Sequence, residues 1–72
     1  MEEYLLNKIE ELSFERIGAN DPISEVLDSI TTVEFVAEIE DEFGIEIPFD
    51  EIVESNFKNV TRLIEFIKEK QA

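Results

Sequence analysis

The hydroxyls and carboxylates of this chain are its only ready nucleophiles and ligands, because it contains neither histidine nor cysteine. A Ser–His pair cannot be built, and no thiol of the protein can carry a thioester. Transition-metal sites lose their usual nitrogen and sulfur donors. A calcium loop of the EF-hand kind needs oxygen ligands at alternate positions, glycine at the sixth and glutamate at the twelfth. Counted from Asp21 the twelfth position is Thr32, and counted from Asp41 the third and fifth are Phe43 and Ile45, so both candidates fail. Solvated carboxylates with no buried pocket to separate their pKa values are poor acid–base pairs, and intrinsic catalysis is not expected. One hydroxyl stands apart. Ser29 directly follows Asp28 at the start of an expected helix, exposed and near the helix's positive end, where an attached phosphate is favoured. Taken alone, an Asp-Ser pair at such a place is more often a cap than a site.

The elements that must position Ser29 are helices. Leu5, Ile9 and Leu12 are spaced by four and three, which predicts an amphipathic helix from Glu2 to about Ser13. A long connection from Phe14 to Leu27 follows, punctuated by Gly18, Asn20 and Asp21-Pro22. It carries Phe14, Ile17, Ile23, Val26 and Leu27, so it is expected to pack across the helices, with room for one short helical turn. The central helix is expected from Ser29 to Phe43, with Asp28 as its N-cap and Gly44 as its stop. Ile45 to Pro48 is extended, a short helix is expected from Asp50 to about Glu54, and the last helix starts at an Asn59 or Thr61 cap with Val60, Leu63, Ile64 and Ile67 buried. The predicted fold is all-α, a small four-helix bundle of three principal helices plus one short helix, forming a single domain over residues 1–72.

The central helix has more apolar surface than a core needs. Phe35, Ile39 and Phe43, with Val36 beside them, form the inner face, whereas Ile30, Val33 and Ala37 fall on a separate line that starts beside Ser29. Glu34, Glu38, Glu40 and Asp41 border this second line, which suggests a docking strip; contact with the connection or the last helix is the plainer alternative. Nineteen acidic and six basic residues give a formal charge of −13, and between Arg16 and Lys58 there are twelve acids and no base. Helix ion pairs within that interval are impossible. Nucleic acid and anionic membrane surfaces are bound through Lys and Arg and are not expected partners, whereas basic protein surfaces are attracted. The first residues, Met1-Glu2-Glu3, are the reverse of a basic signal start, and no membrane-spanning run is present, so a cytoplasmic monomer is the expectation.

Leu27-Asp28-Ser29-Ile30, followed fourteen residues after the serine by Phe43-Gly44-Ile45-Glu46-Ile47-Pro48, resembles the acyl carrier proteins. Val33-Glu34-Phe35-Val36 and Ile39-Glu40-Asp41-Glu42 are similar to the acidic recognition helix of that family. The resemblance implies a non-enzymatic carrier in fatty acid or lipid biosynthesis. A phosphopantetheinyl transferase would place 4′-phosphopantetheine from coenzyme A on Ser29, with Asp28 orienting the transferase. The arm's thiol would hold acyl groups as thioesters. Ile30, Val33, Glu34, Ala37, Glu40 and Asp41 would meet acyl-transfer, synthase or ligase enzymes with basic docking surfaces. Leu27 before Asp28 looks more like specialised carriers and the D-alanyl carriers of teichoic acid modification, so an amino acid is an alternative cargo. A third reading is an unmodified acidic interaction module.

Overall fold

The computed structural model describes every residue from Met1 to Ala72. Three α-helices carry the fold: α1 (Glu2–Ser13), α2 (Ser29–Phe43) and α3 (Val60–Gln71). Single 3₁₀ turns at Ile23–Glu25 and Phe49–Glu51 punctuate the two connections. No helix is long and apolar enough to cross a membrane.

Contacts at the helix ends fix the directions. Tyr4, in the first turn of α1, meets Phe43, the last residue of α2, edge to face at 5.5 Å. Its hydroxyl donates to Glu38 O at 3.3 Å, and Lys8 pairs with the Glu38 carboxylate at 2.8 Å. Helices α1 and α2 are therefore antiparallel. Lys70, near the end of α3, pairs with Glu51 in the 3₁₀ turn of the second connection that follows α2. At the other end, Thr61 N–H donates to Ala19 O at 3.0 Å and Ile23 N–H to Lys58 O at 3.1 Å. Helices α2 and α3 thus run in the same direction, and the first connection closes the end of the bundle at which both begin.

The core lies between the three helices. Leu5, Ile9, Phe35, Ile39, Val60, Leu63 and Ile67 are fully buried, and no polar or charged residue is buried with them. Burial of this kind contributes roughly 1.5–3 kcal/mol per large apolar side chain, the main force available to a chain without disulfides. Phe66 and Leu6 also belong to the core, outside the stripes expected from spacing alone, while Leu12 and Ile64 are half-buried at its edge. Phe66 leans on Phe57 from the second connection, with ring centroids 6.1 Å apart.

Three expectations need correction. The short helix expected from Asp50 to Glu54 is one 3₁₀ turn at Phe49–Glu51, ended by Ile52 in a non-helical conformation. Asn56 Nδ2 donates to Glu51 O at 2.9 Å, taking a carbonyl that a continuing helix would use for its own ladder. The first connection packs as expected through buried Ile23 and Leu27, yet Phe14 stands outside it, 91% exposed. The acidic interval is not wholly unpaired either, because Lys8 of α1 reaches Glu38 and Lys70 of α3 reaches Glu51 from outside it.

Candidate functional site

Asp28 and Thr31 build the start of α2. Thr31 N–H donates to Asp28 Oδ1 at 2.8 Å, and Asp28 N–H donates to Thr31 Oγ1 at 2.9 Å, a reciprocal cap that satisfies two otherwise free donors. Thr31 Oγ1 also lies 2.9 Å from Asp28 Oδ1. These bonds hold the Asp28 carboxyl below its ordinary pKa, the Thr31 N–H first and its hydroxyl second. Sequence reasoning found the Asp28 cap and missed Thr31, although a hydroxyl three residues after a capping residue is a legible signal.

Because Asp28 and Thr31 make the cap, Ser29 Oγ stays outside that network. Ser29 is the first residue of α2 and exposed. Asp28 before it and Thr31 two residues on are tied to each other by the cap, and Ser29 lies exposed at the positive end of a fifteen-residue helix. Added negative charge is stabilised at such a helix end.

The spare strip is free. Ile30 is 72% and Val33 58% exposed, and Ala37 is exposed beside them, so neither the connection nor α3 covers the line. Glu34 and Asp41 are exposed along its edges. Glu40 is half-buried, and its Oε2 accepts the Ile47 N–H at 2.8 Å, which ties the turn after Gly44 back to α2. Glu40 thus has a structural task that spacing did not reveal. Gly44 ends α2 in the left-handed conformation, φ 63°, as expected.

A crevice of about 170 Å³ opens one helical turn from Ser29. Ile23, Leu27, Ile52, Val53 and Phe57 supply its apolar walls, with Ser24, Thr32 and Glu54 at its polar edges. Thr32 lies three residues beyond Ser29, about 4.5 Å along the helix axis. Sequence reasoning did not assemble this crevice, because its walls join residues 23–32 with residues 52–57 of the second connection, which lie beyond the rest of α2.

An exposed serine at a capped helix start, beside a free apolar strip edged by acids, matches the carrier reading of the sequence. The chain belongs to the phosphopantetheine-binding carrier proteins: the family described as "Phosphopantetheine attachment site" matches residues 5–67. Acyl carrier proteins of Rickettsia bellii strains RML369-C and OSU 85-389 are each 38% identical over 65 residues, covering 90% of this chain and 70% and 74% of theirs. A D-alanyl carrier protein of Streptococcus pyogenes serotype M1 is 37% identical over 46 residues, 64% of this chain and 58% of its own. No solved structure gives a significant match. The chain therefore has a phosphopantetheine attachment site, is a non-catalytic carrier and is modified by a phosphopantetheinyl transferase.

Proposed function

We propose that the protein is an acyl carrier of the cytoplasm, a monomer whose residues 1–72 act as one carrier domain with 4′-phosphopantetheine on Ser29. The observation that carries this reading is the Ser29 hydroxyl, exposed at the first position of α2 while Asp28 and Thr31 make the cap. In the modification, Ser29 Oγ displaces 3′,5′-adenosine bisphosphate from coenzyme A; a phosphodiester forms and the hydroxyl proton passes to the transferase. The attached arm supplies a terminal thiol for thioester formation, which this cysteine-free chain lacks.

The chain's own residues do the rest. Asp28 fixes the attachment point and presents a carboxylate that orients the transferase. Ile30, Val33 and Ala37 give partner enzymes an apolar contact, and Glu34, Asp41 and the remaining oxygen of Glu40 meet Lys and Arg around it. Charge of this sign steers basic surfaces in and keeps nucleic acid away. The crevice beside Thr32 supports an acyl cargo. A cavity of roughly 150 Å³ holds one benzene-sized molecule, so about 170 Å³ suits a short acyl group, and a long chain requires its walls to part. The fuller coverage by the Rickettsia acyl carriers supports the same choice, with a place in fatty acid or lipid biosynthesis.

The amino-acid alternative rests on the Leu27-Asp28-Ser29 run and the D-alanyl relatives. Loading separates the two. The modified chain is offered to a fatty-acyl ligase and to a D-alanine-activating ligase, and the thioester is read by intact mass. Acyl transfer by the first, with little by the second, is expected. Charging by the D-alanine ligase alone would reverse the assignment.

A further inference from the structure

We propose that Phe14 anchors a second docking surface, on the back of α1, for a basic partner protein that holds the carrier while α2 and Ser29 stay free. Phe14 is 91% exposed, the most exposed of the large apolar side chains. The α1 core face is complete without it, through Leu5, Leu6 and Ile9. Phe14 is also the only non-glycine residue with positive φ, at 63°. A bulky residue is a poor choice for that geometry, and the equivalent position after α2 is a glycine. The demands of the turn therefore do not explain an aromatic residue here, and the demands of the core do not either.

The surroundings define the partner. Phe14 borders a shallow dish with Asn7, Glu10 and Glu11, and Glu15 follows it, exposed. Two cations reach this face and both are held: Lys8 Nζ lies 3.2 Å from Glu11 Oε1 and 2.8 Å from Glu38 Oε2 of α2, while Arg16 Nη1 donates to Asn7 Oδ1 at 2.7 Å, Nη2 to Glu3 Oε1 at 2.9 Å, and Nη1 lies 3.2 Å from Glu10 Oε1. This clasp draws the chain after Phe14 back along α1 and leaves the aromatic ring outside. The result is an aromatic knob where four acids, Glu3, Glu10, Glu11 and Glu15, outnumber the two cations Lys8 and Arg16 and Glu15 stays unpaired, a net negative setting complementary to an apolar socket ringed by Lys or Arg. A second copy of the chain is a poor occupant, since each copy carries a formal charge of −13. The surface lies on a different helix from Ser29 and its strip, so the inference does not depend on what Ser29 carries.

The test is a titration of the full-length ¹⁵N-labelled chain with a synthetic amphipathic Lys/Leu helix, read residue by residue by NMR. Wild type should show saturating shifts at Asn7, Glu10, Glu11, Phe14 and Glu15. Phe14→Gly should weaken that phase roughly tenfold without lowering the melting temperature, and Phe14→Tyr should retain it. Shifts confined to α2, equal affinity for wild type and Phe14→Gly, or a melting temperature that falls with affinity would overturn the proposal. A wild-type dimer in sedimentation at high salt that Phe14→Gly abolishes would also overturn it, by naming a second copy as the occupant.

Discussion

Helices α1 and α2 close with the same backbone turn, φ 63° at Phe14 and at Gly44, and with opposite residues. Helix α2 is settled by local chemistry at both ends, with the Asp28–Thr31 cap at its start and glycine at its stop. Helix α1 has neither device: Met1 gives no side-chain cap, and an aromatic residue occupies the left-handed position. Its end is held instead by Ser13 Oγ, which donates to Ile9 O at 2.7 Å, and by the Arg16 clasp. The difference teaches that the helix presenting Ser29 is defined by its own residues, whereas α1 depends on packing and on the segment that folds back over it.

That contrast can be broken at several points. The largest effect is expected inside α2. Phe35→Ala should cost about 3–5 kcal/mol, enough to leave a domain this small largely unfolded by circular dichroism at 25 °C. The two turns should then respond in opposite directions. An added Cβ at Gly44 meets nothing within 4 Å, so the cost of Gly44→Ala is conformational alone. It should be about 1 kcal/mol, or roughly 4–8 °C in melting temperature. Phe14→Gly relieves the same strain and gives up little burial, so it should raise stability by about 0.5–1 kcal/mol, net of glycine's greater unfolded freedom. Equal destabilisation by both would refute the contrast.

The cap gives a pH signature. Because the Asp28 pKa is lowered in the fold, chiefly by the Thr31 N–H, its carboxylate contributes fully above the ordinary aspartate range near pH 4. That contribution is lost as pH falls through the lower, folded-state value. Asp28→Ala should therefore melt roughly 5 °C below wild type at neutral pH, and the gap should close in acid; a gap independent of pH would assign the loss to something other than the cap. The smallest effect belongs to the outer face of α2. Ile30→Ala should change stability by less than about 0.5 kcal/mol, so any loss of partner binding it causes reports docking, not folding.

Much of this was legible in the residues, where a pattern is local. The bounds of α1 and α2, the Asp28 and Asn59 caps, the Gly44 stop and the two faces of α2 follow from periodicity and capping chemistry. The Asn59 side chain accepts the Arg62 N–H at 2.8 Å, whereas Thr61 turns to Asn20 and Ala19. What escaped depends on distant segments meeting. The pairing of Glu38 with Lys8 and of Glu51 with Lys70 joins residues 30 and 19 positions apart. The crevice needs the first connection, α2 and the second connection together. Phe14 was misplaced because an apolar residue in a long connection is normally drawn inward, and here a left-handed turn and a clasped arginine hold it out.

The role of Ser29 has the most direct test. The full-length chain is incubated with coenzyme A and a broad-specificity phosphopantetheinyl transferase, and intact masses are compared for wild type and Ser29→Ala. One phosphopantetheine per wild-type chain and none on the variant, which should fold normally because its cap is intact, is the expected result. An unmodified wild type, or an equal mass gain on Ser29→Ala, would contradict the account.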